Sequence, residues 1–340
     1  MAAAVVTACG AAKPSASDDR AGLAFTRYVS AEEQEPSVWV ADADGSNARQ
    51  LAAEGRTGEL SPDGRRVTYY VARKPVTNSD FSSLYVQDVE GGKPRLIGEA
   101  AWSLWSPDSS LLVVDARKVL FLVDVESGKR RELARDIGWG RSGSFAPDGE
   151  ALAFTRGNGK VLPEYRSDIF VLSLADGKIQ QLTDDGHSDA PVWGAKWIAY
   201  RHFRFEGDAW PQLGEIRLIR PDGSGDRLFA RGDESLSRAH YGLEPLDFST
   251  DGKRLLACNS HEFSCGPVTF TVPDGKRHEI SVDDEPEMIP FGSDLARDGS
   301  EVLVEVGPFD SPGERVYAVP FEGGAARLLV KQADDASWAR

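Results

Sequence analysis

The stretch FSTDGKRLLACNS, residues 248–260, places a tight turn, Thr250-Asp251-Gly252, directly before a short apolar run. Asp-Gly between two β-rich runs is a strong short-range signal for a hairpin. The phrase recurs as LSPDGRRVTYY from Leu60, WSPDSSLLVVD from Trp105, FAPDGEALAFT from Phe145 and LARDGSEVLVE from Leu295. A shortened copy, VWGAKWIAYRH, begins at Val192. A phrase repeated in this way predicts a repeat architecture, not one isolated hairpin.

Each phrase is half of a longer unit. The other half is a pair of β-rich runs joined by an acidic-Gly or Ser-Gly turn, and the chain contains seven copies. They begin at Val38, Leu84, Leu120, Ile169, Ile216, Val268 and Val316. Together the halves give four strands per unit, at a period of about 36 to 52 residues. This pattern predicts an all-β fold, a seven-bladed β-propeller of four-stranded antiparallel blades.

The two ends of the chain complement each other. The chain enters at GLAFTRY, from Gly22, as a second strand with no first strand before it. It ends at DDASWAR, which reads as a first strand with no second strand after it. Pairing of this strand, which carries Trp338, with the N-terminal blade closes the ring and removes two exposed edges. We therefore predict one propeller domain over residues 22–340, preceded by a signal and tether segment over residues 1–21.

The repeated phrases also resemble a known family. LSPDGRRVTYY, WSPDSS, FAPDGEALAF and LTDDGHSDAPVW are similar to the TolB-like, PD40-type (WD40-like) propeller repeats of bacterial cell-envelope proteins. The resemblance covers about residues 22–338. It implies a β-propeller in the cell envelope, and some related propellers are metal-dependent polysaccharide lyases.

Charge and hydropathy exclude two classes of partner. The formal net charge is −15, from 54 acidic and 39 basic residues, so we expect no nucleic-acid binding. No run of 18 apolar residues predicts a membrane-spanning helix. The segment Val6-Thr7-Ala8-Cys9 resembles the lipobox of bacterial lipoproteins, which implies that the only membrane association is through a lipid on Cys9. The alternative is an ordinary terminus that carries one cysteine.

The other two cysteines flank a six-residue loop. Cys258 and Cys265 face each other across a predicted hairpin, which predicts a disulfide and suits an oxidising compartment. The alternative is two independent buried thiols.

The Pro-Asp-Gly turns predict structure, not chemistry. Pro fixes φ, Asp accepts a backbone hydrogen bond, and Gly adopts a positive φ. Such turns lie on one face of a propeller, because each strand reverses the direction of the chain. The other face then carries the long connections, and binding residues are commonly found on such loops.

Six residues of the long connections are the candidate contacts of this face: His187, Asp189, His202, Arg204, Trp210 and His240. Two functions fit them. The first is a non-enzymatic scaffold, monomeric and without a cofactor, that binds an envelope protein or a glycan. The second is a metal-assisted lyase or hydrolase acting on an extracellular saccharide, since three histidines and a carboxylate are possible ligands of a transition metal. The first is favoured because these residues are few and widely spaced.

Overall fold

The computed structural model of the protein describes residues 20–28, 36–72, 82–136, 143–160, 164–204, 212–232, 240–261, 264–282, 289–307 and 315–339. Within these ranges the chain forms strands and turns, which confirms the predicted all-β class. No helix in the described part of the chain is long and apolar enough to cross a membrane. Residues 1–19, which contain Cys9 and most of the predicted tether, lie outside the described ranges.

The described strands form six antiparallel sheets, numbered here in chain order. Sheet 1 contains β28 (Asp334–Trp338), β1 (Leu23–Tyr28), β2 (Pro36–Ala41) and β3 (Arg49–Ala52). Sheet 2 contains β4 (Arg56–Leu60), β5 (Arg66–Val71), β6 (Ser82–Asp88) and β7 (Arg95–Ala100). Sheet 3 contains β8 (Trp102–Trp105), β9 (Leu111–Ala116), β10 (Val119–Asp124) and β11 (Arg130–Arg135). Sheet 4 contains β12 (Gly143–Phe145), β13 (Ala151–Gly157), β14 (Ser167–Ser173) and β15 (Ile179–Gln181).

Sheet 5 is larger and has two four-stranded halves. Its first half contains β16 (Ser188–Trp193), β17 (Ile198–Arg204), β18 (Gln212–Ile219) and β19 (Arg227–Arg231). Its second half contains β20 (His240–Phe248), β21 (Arg254–His261), β22 (Ser264–Thr271) and β23 (Lys276–Glu279). Sheet 6 contains β24 (Ile289–Leu295), β25 (Glu301–Gly307), β26 (Arg315–Pro320) and β27 (Arg327–Lys331).

The two halves of sheet 5 meet at one parallel bridge, between Gly214 and Gly242. A Cβ on Gly242 would lie 2.2 Å from the backbone nitrogen of Gly214, and Gly242 has a φ of +80°. No L side chain fits at this position without moving the backbone. The close approach of two glycines is therefore what joins the halves into one sheet.

The first and last strands of the chain lie in the same sheet. β28 pairs antiparallel with β1, and Leu23 lies opposite Trp338. The register shifts once, between Ala24 and Thr26, where Asp335 adopts a φ of +50°. The predicted partner of the last strand is thus the strand beside which the structure places it.

The acidic turns have the structural role that the sequence predicted. Asp251 Oδ1 accepts hydrogen bonds from Lys253 N at 3.0 Å and from Ser249 Oγ at 2.8 Å, and Gly252 has a φ of +66°. Four other turn aspartates accept the same bond from the nitrogen two residues later: Asp63, Asp108, Asp148 and Asp298. Ser109 takes the glycine's position in its turn, with a φ of +62°. These carboxylates therefore stabilise turns.

The antiparallel order gives every four-stranded group two different edges. The tight turns after the first and third strands lie at one edge, here called the turn edge. The connections after the second and fourth strands lie at the opposite edge, here called the connection edge. The first strand of each group in sheet order (β28, β4, β8, β12, β16, β20 and β24) is here called its leading strand.

The hydrophobic core lies between the groups, not within one of them. One cluster joins Leu303 and Val316 of sheet 6 to Phe25 and Trp338 of sheet 1. Six further clusters of described residues join the other neighbouring groups in chain order. Each fully buried Leu, Val or Phe contributes roughly 1.5–3 kcal/mol relative to an exposed one. Stability therefore depends on packing every group between two neighbours.

The disulfide prediction is tested in part by the position of Cys258. This residue lies in β21, is disulfide-bonded, and is buried. β21 pairs with β22, in which Cys265 lies opposite Ser260. The side chain of Cys265 is outside the described part of the structure, so its identity as the partner stays a prediction.

We expect non-reducing mass spectrometry of the purified protein to show a cross-linked peptide pair containing Cys258 and Cys265. A Cys258→Ser, Cys265→Ser double variant is expected to lose about 2–4 kcal/mol of stability, the usual contribution of a disulfide. Two free thiols in protein purified under oxidising conditions would refute the pairing. A Cys9→Ser variant serves as the control and is expected to retain the bridge.

Candidate functional site

The predicted contact residues lie at the connection edge of sheet 5. His187 directly precedes β16, Asp189 belongs to that strand, and His240 begins β20. His202 and Arg204 belong to β17. The strands thus extend further than the sequence predicted, because pairing with their neighbours continues to Ser188–His202 and Arg204–Gln212. Trp210 lies outside the described residues, as do the side chains of Arg204 and His240.

The structure brings two of the predicted histidines together. The ring centroids of His187 and His202 are 6.3 Å apart, in an edge-to-face arrangement. The ring of Phe203, which is fully buried, lies 5.8 Å from that of His187. The backbone supports this geometry, since Phe203 N donates to His187 O at 2.9 Å. Both imidazoles therefore rest on a fixed aromatic support.

His202 lies between two carboxylates that the sequence did not single out. Its Nε2 is 3.1 Å from Asp185 Oδ2, and its Nδ1 is 3.6 Å from Glu215 Oε1. That Nδ1 is buried and has no hydrogen-bond partner within the described residues. Glu215 is itself held by Arg217 at 3.4 Å and by Arg231 at 3.5 Å. This geometry fixes the imidazole and leaves one ring nitrogen without a direct partner.

A metal centre needs at least one more ligand than this arrangement offers. No three His, Cys, Asp or Glu side chains in the described ranges are arranged to hold a metal ion. His240, whose side chain is not among those described, is the third histidine of the predicted set. Whether it joins His187 and His202 stays a prediction.

Asp189 has a different environment from the one expected for a ligand-facing carboxylate. It is 6% exposed, and both of its oxygens accept hydrogen bonds from Arg201, each at 2.7 Å. Arg201 Nη1 also lies 2.6 Å from Glu244 Oε2 in β20. One guanidinium thus joins the two halves of sheet 5 through two carboxylates. Bidentate pairing of this kind fixes geometry as well as charge.

A second charged network occupies the equivalent edge of sheets 1, 2 and 6. Arg56 lies 2.9 Å from Asp335 and 3.4 Å from Asp334. Glu305 accepts a hydrogen bond from Ala336 N at 2.7 Å. Burial raises the pKa of Glu305 well above its usual range, and the adjacent Asp334 carboxyl raises it further. The three carboxyl groups therefore hold β28 through hydrogen bonds, with Glu305 favouring its neutral form.

These charged networks are the part of the site that the residue types alone did not reveal. A positional signal does exist. Asp189 lies four residues before Trp193, and Asp334 lies four residues before Trp338. The same position of a leading strand thus carries a network carboxylate in both groups. Comparing the repeats column by column, instead of searching for reactive residue types, would have found them.

The fold of the chain is shared by solved structures, although no protein-family model and no curated protein matches the sequence. The β-propeller domain of the Trilobed protease from Pyrococcus furiosus is 15% identical, with a TM-score of 0.64 over 93% of this chain and 94% of that chain. TolB from Acinetobacter baumannii is 15% identical, with a TM-score of 0.53 over 90% and 79%. An oligogalacturonate lyase in complex with manganese is 13% identical, with a TM-score of 0.60 over 91% and 85%.

At identities this low, similarity of structure identifies the fold and not the activity. The neighbours include a protease domain, TolB and a lyase, which do not share one function. Four-stranded antiparallel sheets with Asp-Gly turns are common to the sequence prediction and to the structure. The chain is a β-propeller of the TolB-like kind.

Proposed function

We propose that the chain is a closed, seven-bladed propeller and a non-enzymatic binding protein of the cell envelope. The ring is supported by the seven core clusters, each of which joins two neighbouring groups. It is also supported by contacts of β28 with both β24 and β4, which are leading strands of the adjacent sheets. Each half of sheet 5 then corresponds to one blade.

The observation that carries the binding function is the pair of charged networks at the connection edge. Arg201 connects Asp189 to Glu244, and Arg56 connects the second sheet to the first. Each network ties adjacent groups together, so the polar surface is rigid before any partner arrives. A rigid surface loses less conformational entropy on binding than a flexible one. Such a platform fits a protein or a glycan that contacts the adjoining connections.

The location in the envelope is supported by two features of the cysteines. Disulfides persist in oxidising compartments, and Cys258 is disulfide-bonded. Cys9 stands at the end of a lipobox-like segment, with a Pro- and Ser-containing stretch before the first described strand. In this proposal residues 1–21 supply the signal and tether, a lipid on Cys9 is the only membrane anchor, and residues 22–340 act as a monomer.

The test uses the two predicted contacts that lie nearest the long connection of β17 and β18. We expect Arg204→Ala and Trp210→Ala to weaken binding to a cross-linked envelope partner by about tenfold each, the usual effect of truncating an anchoring Arg or Trp. Arg65→Ala, an exposed arginine at the turn edge, is the matched control. Unchanged affinity in both variants, with unchanged thermal stability, would exclude this face as the binding surface.

A second candidate function is a metal-assisted enzyme acting on a saccharide. The observation that favours it is the 6.3 Å separation of the rings of His187 and His202, which is short enough for two ligands of one ion. Elemental analysis of purified protein distinguishes the two functions. One equivalent of a transition metal that is lost in both His187→Ala and His202→Ala would replace the binding function with the enzymatic one.

A further inference from the structure

A cavity runs along the leading strands and has an acidic lining. It has a volume of about 540 Å³ including its open ends, and it is lined by residues of β4, β8, β12, β16 and β20. Three of these residues are acidic, Glu59, Glu244 and Asp247, and none of the described lining residues is basic. Since five leading strands contribute, this space is the central channel of the described groups.

A second cavity forms the mouth of this channel at the turn edge. Its volume is about 830 Å³, and it shares Leu104, Ser144 and Asp247 with the channel cavity. Aromatic and proline side chains dominate its wall: Trp105, Phe145, Trp193, Phe248, Pro62, Pro107 and Pro147. Arg297 is the one basic residue among the described lining residues of the mouth. The mouth is therefore largely apolar, and the channel behind it is acidic.

The shortened repeat opens this mouth on one side. Between β16 and β17 the chain has Gly194-Ala195 where other groups have Pro-Asp-Gly. A Cβ on Gly194 would lie 2.8 Å from the ring of Phe248, so the turn packs directly on that aromatic side chain. Ala195 then lines the mouth with a methyl group, whereas Pro62 and Pro107 stand at the rim of other groups.

The charges of the channel do not cancel within the described residues. Glu244 pairs with Arg201, but the same guanidinium also neutralises Asp189. One cation thus serves two carboxylates, and Glu59 and Asp247 add two more acids to the lining. Low-dielectric walls concentrate such a potential inside a narrow space. The channel accordingly favours a positively charged occupant.

We propose that this channel binds the side chain of a lysine on an extended peptide that enters from the turn edge. A lysine has a compact ammonium group on a flexible four-carbon stem, which suits a narrow acidic channel better than a planar guanidinium. The flanking residues of the peptide lie against Trp193, Phe248 and the rim prolines. Aromatic faces at the mouth attract a passing cation as well. This site is on the opposite side from the proposed connection-edge surface and does not depend on it.

The probe is the capped pentapeptide acetyl-Ala-Ala-Lys-Ala-Ala-amide, titrated into the full chain by calorimetry at low salt. We expect saturable binding that weakens by about tenfold or more when the lysine is Nε-acetylated, because the charged hydrogen bonds are lost. Glu59→Gln with Asp247→Asn is expected to weaken binding of the lysine peptide by a similar factor. Both substitutions preserve side-chain shape.

A matched variant separates the channel from the general negative charge of the protein. Glu126→Gln with Glu132→Gln removes the same two charges from exposed positions and is expected to leave affinity within about twofold. An equal loss of affinity in both double variants would overturn the proposal, as would equal binding of the acetylated peptide. Absence of binding by the lysine peptide at millimolar concentration would also overturn it.

The direction of entry has its own test. Ala195→Trp narrows the mouth without changing charge and is expected to weaken the lysine peptide by about tenfold, since a bulky side chain fills the space that the flanking residues need. Arg204→Ala at the connection edge is expected to leave it unchanged. The reverse result, with thermal stability preserved in both variants, would show entry from the other side and refute the proposal.

Discussion

Deletion of residues 334–340 is expected to abolish cooperative folding of the entire chain. The deletion removes β28, in which Ala336 and Trp338 are buried against sheets 1 and 6. It also exposes the ladder edge of β1, which then lacks a hydrogen-bonding partner. A loss at this one junction affects both neighbouring sheets, because each group is stabilised by packing between two others.

The buried carboxylates of sheet 6 increase the cost of this deletion. Asp294 accepts a hydrogen bond from Trp338 N at 2.9 Å, and Glu305 accepts one from Ala336 N at 2.7 Å. A buried acceptor left without its donor costs about 1–3 kcal/mol, and more if it is charged. Together with the lost apolar burial, these terms approach the 5–15 kcal/mol that is typical for a folded protein.

Circular dichroism during thermal unfolding provides the measurement. The truncated chain is expected to show no cooperative transition, whereas deletion of residues 1–19 serves as a control that keeps the transition of the full chain. Trp338→Ala retains the strand and is expected to cost about 3–5 kcal/mol, as for other buried tryptophans. A cooperative transition in the chain lacking residues 334–340, lowered by only a few degrees, would show that the ends are not coupled.

The sequence was sufficient to predict the strands because the repeat contains the turn chemistry itself. Asp251 and Gly252 determine a hairpin locally, and the four residues from Ser249 contain most of the hydrogen bonds that stabilise it. Copies of the same phrase then place the strands of other groups. The structure follows this order from β1 to β28.

The sequence was less informative about the site, because residue type does not indicate the partner of a side chain. Asp189 resembles a ligand-facing carboxylate until Arg201 is placed on the paired strand, 12 residues later. His202 resembles a loop residue until β17 is seen to continue to Arg204. Pairing register decides both cases. A charged residue inside a predicted strand, such as Arg201, was the signal that indicated a buried pair.

Replacing Arg201 with leucine is expected to destabilise the protein by about 3–5 kcal/mol, the cost of removing one partner from a buried ion pair. Asp189 is 6% exposed and loses both of its guanidinium hydrogen bonds, and Glu244 loses the same partner. Leucine fills much of the volume of the arginine stem, so the loss arises mainly from the charge left buried. Urea unfolding of the full chain measures this difference in free energy.

The pair can be separated from simple surface effects by two comparisons. Arg117 makes a 3.0 Å ion pair with Glu99 but is 71% exposed, so Arg117→Leu is expected to cost less than about 1 kcal/mol. Adding Asp189→Asn to Arg201→Leu removes the unpaired charge, and the two substitutions are expected to be non-additive by about 1–3 kcal/mol. If Arg201→Leu costs no more than Arg117→Leu, or if the double variant is additive, then the bridge between β16, β17 and β20 does not stabilise the connection edge. The rigid platform on which the binding function depends would then lack its main support.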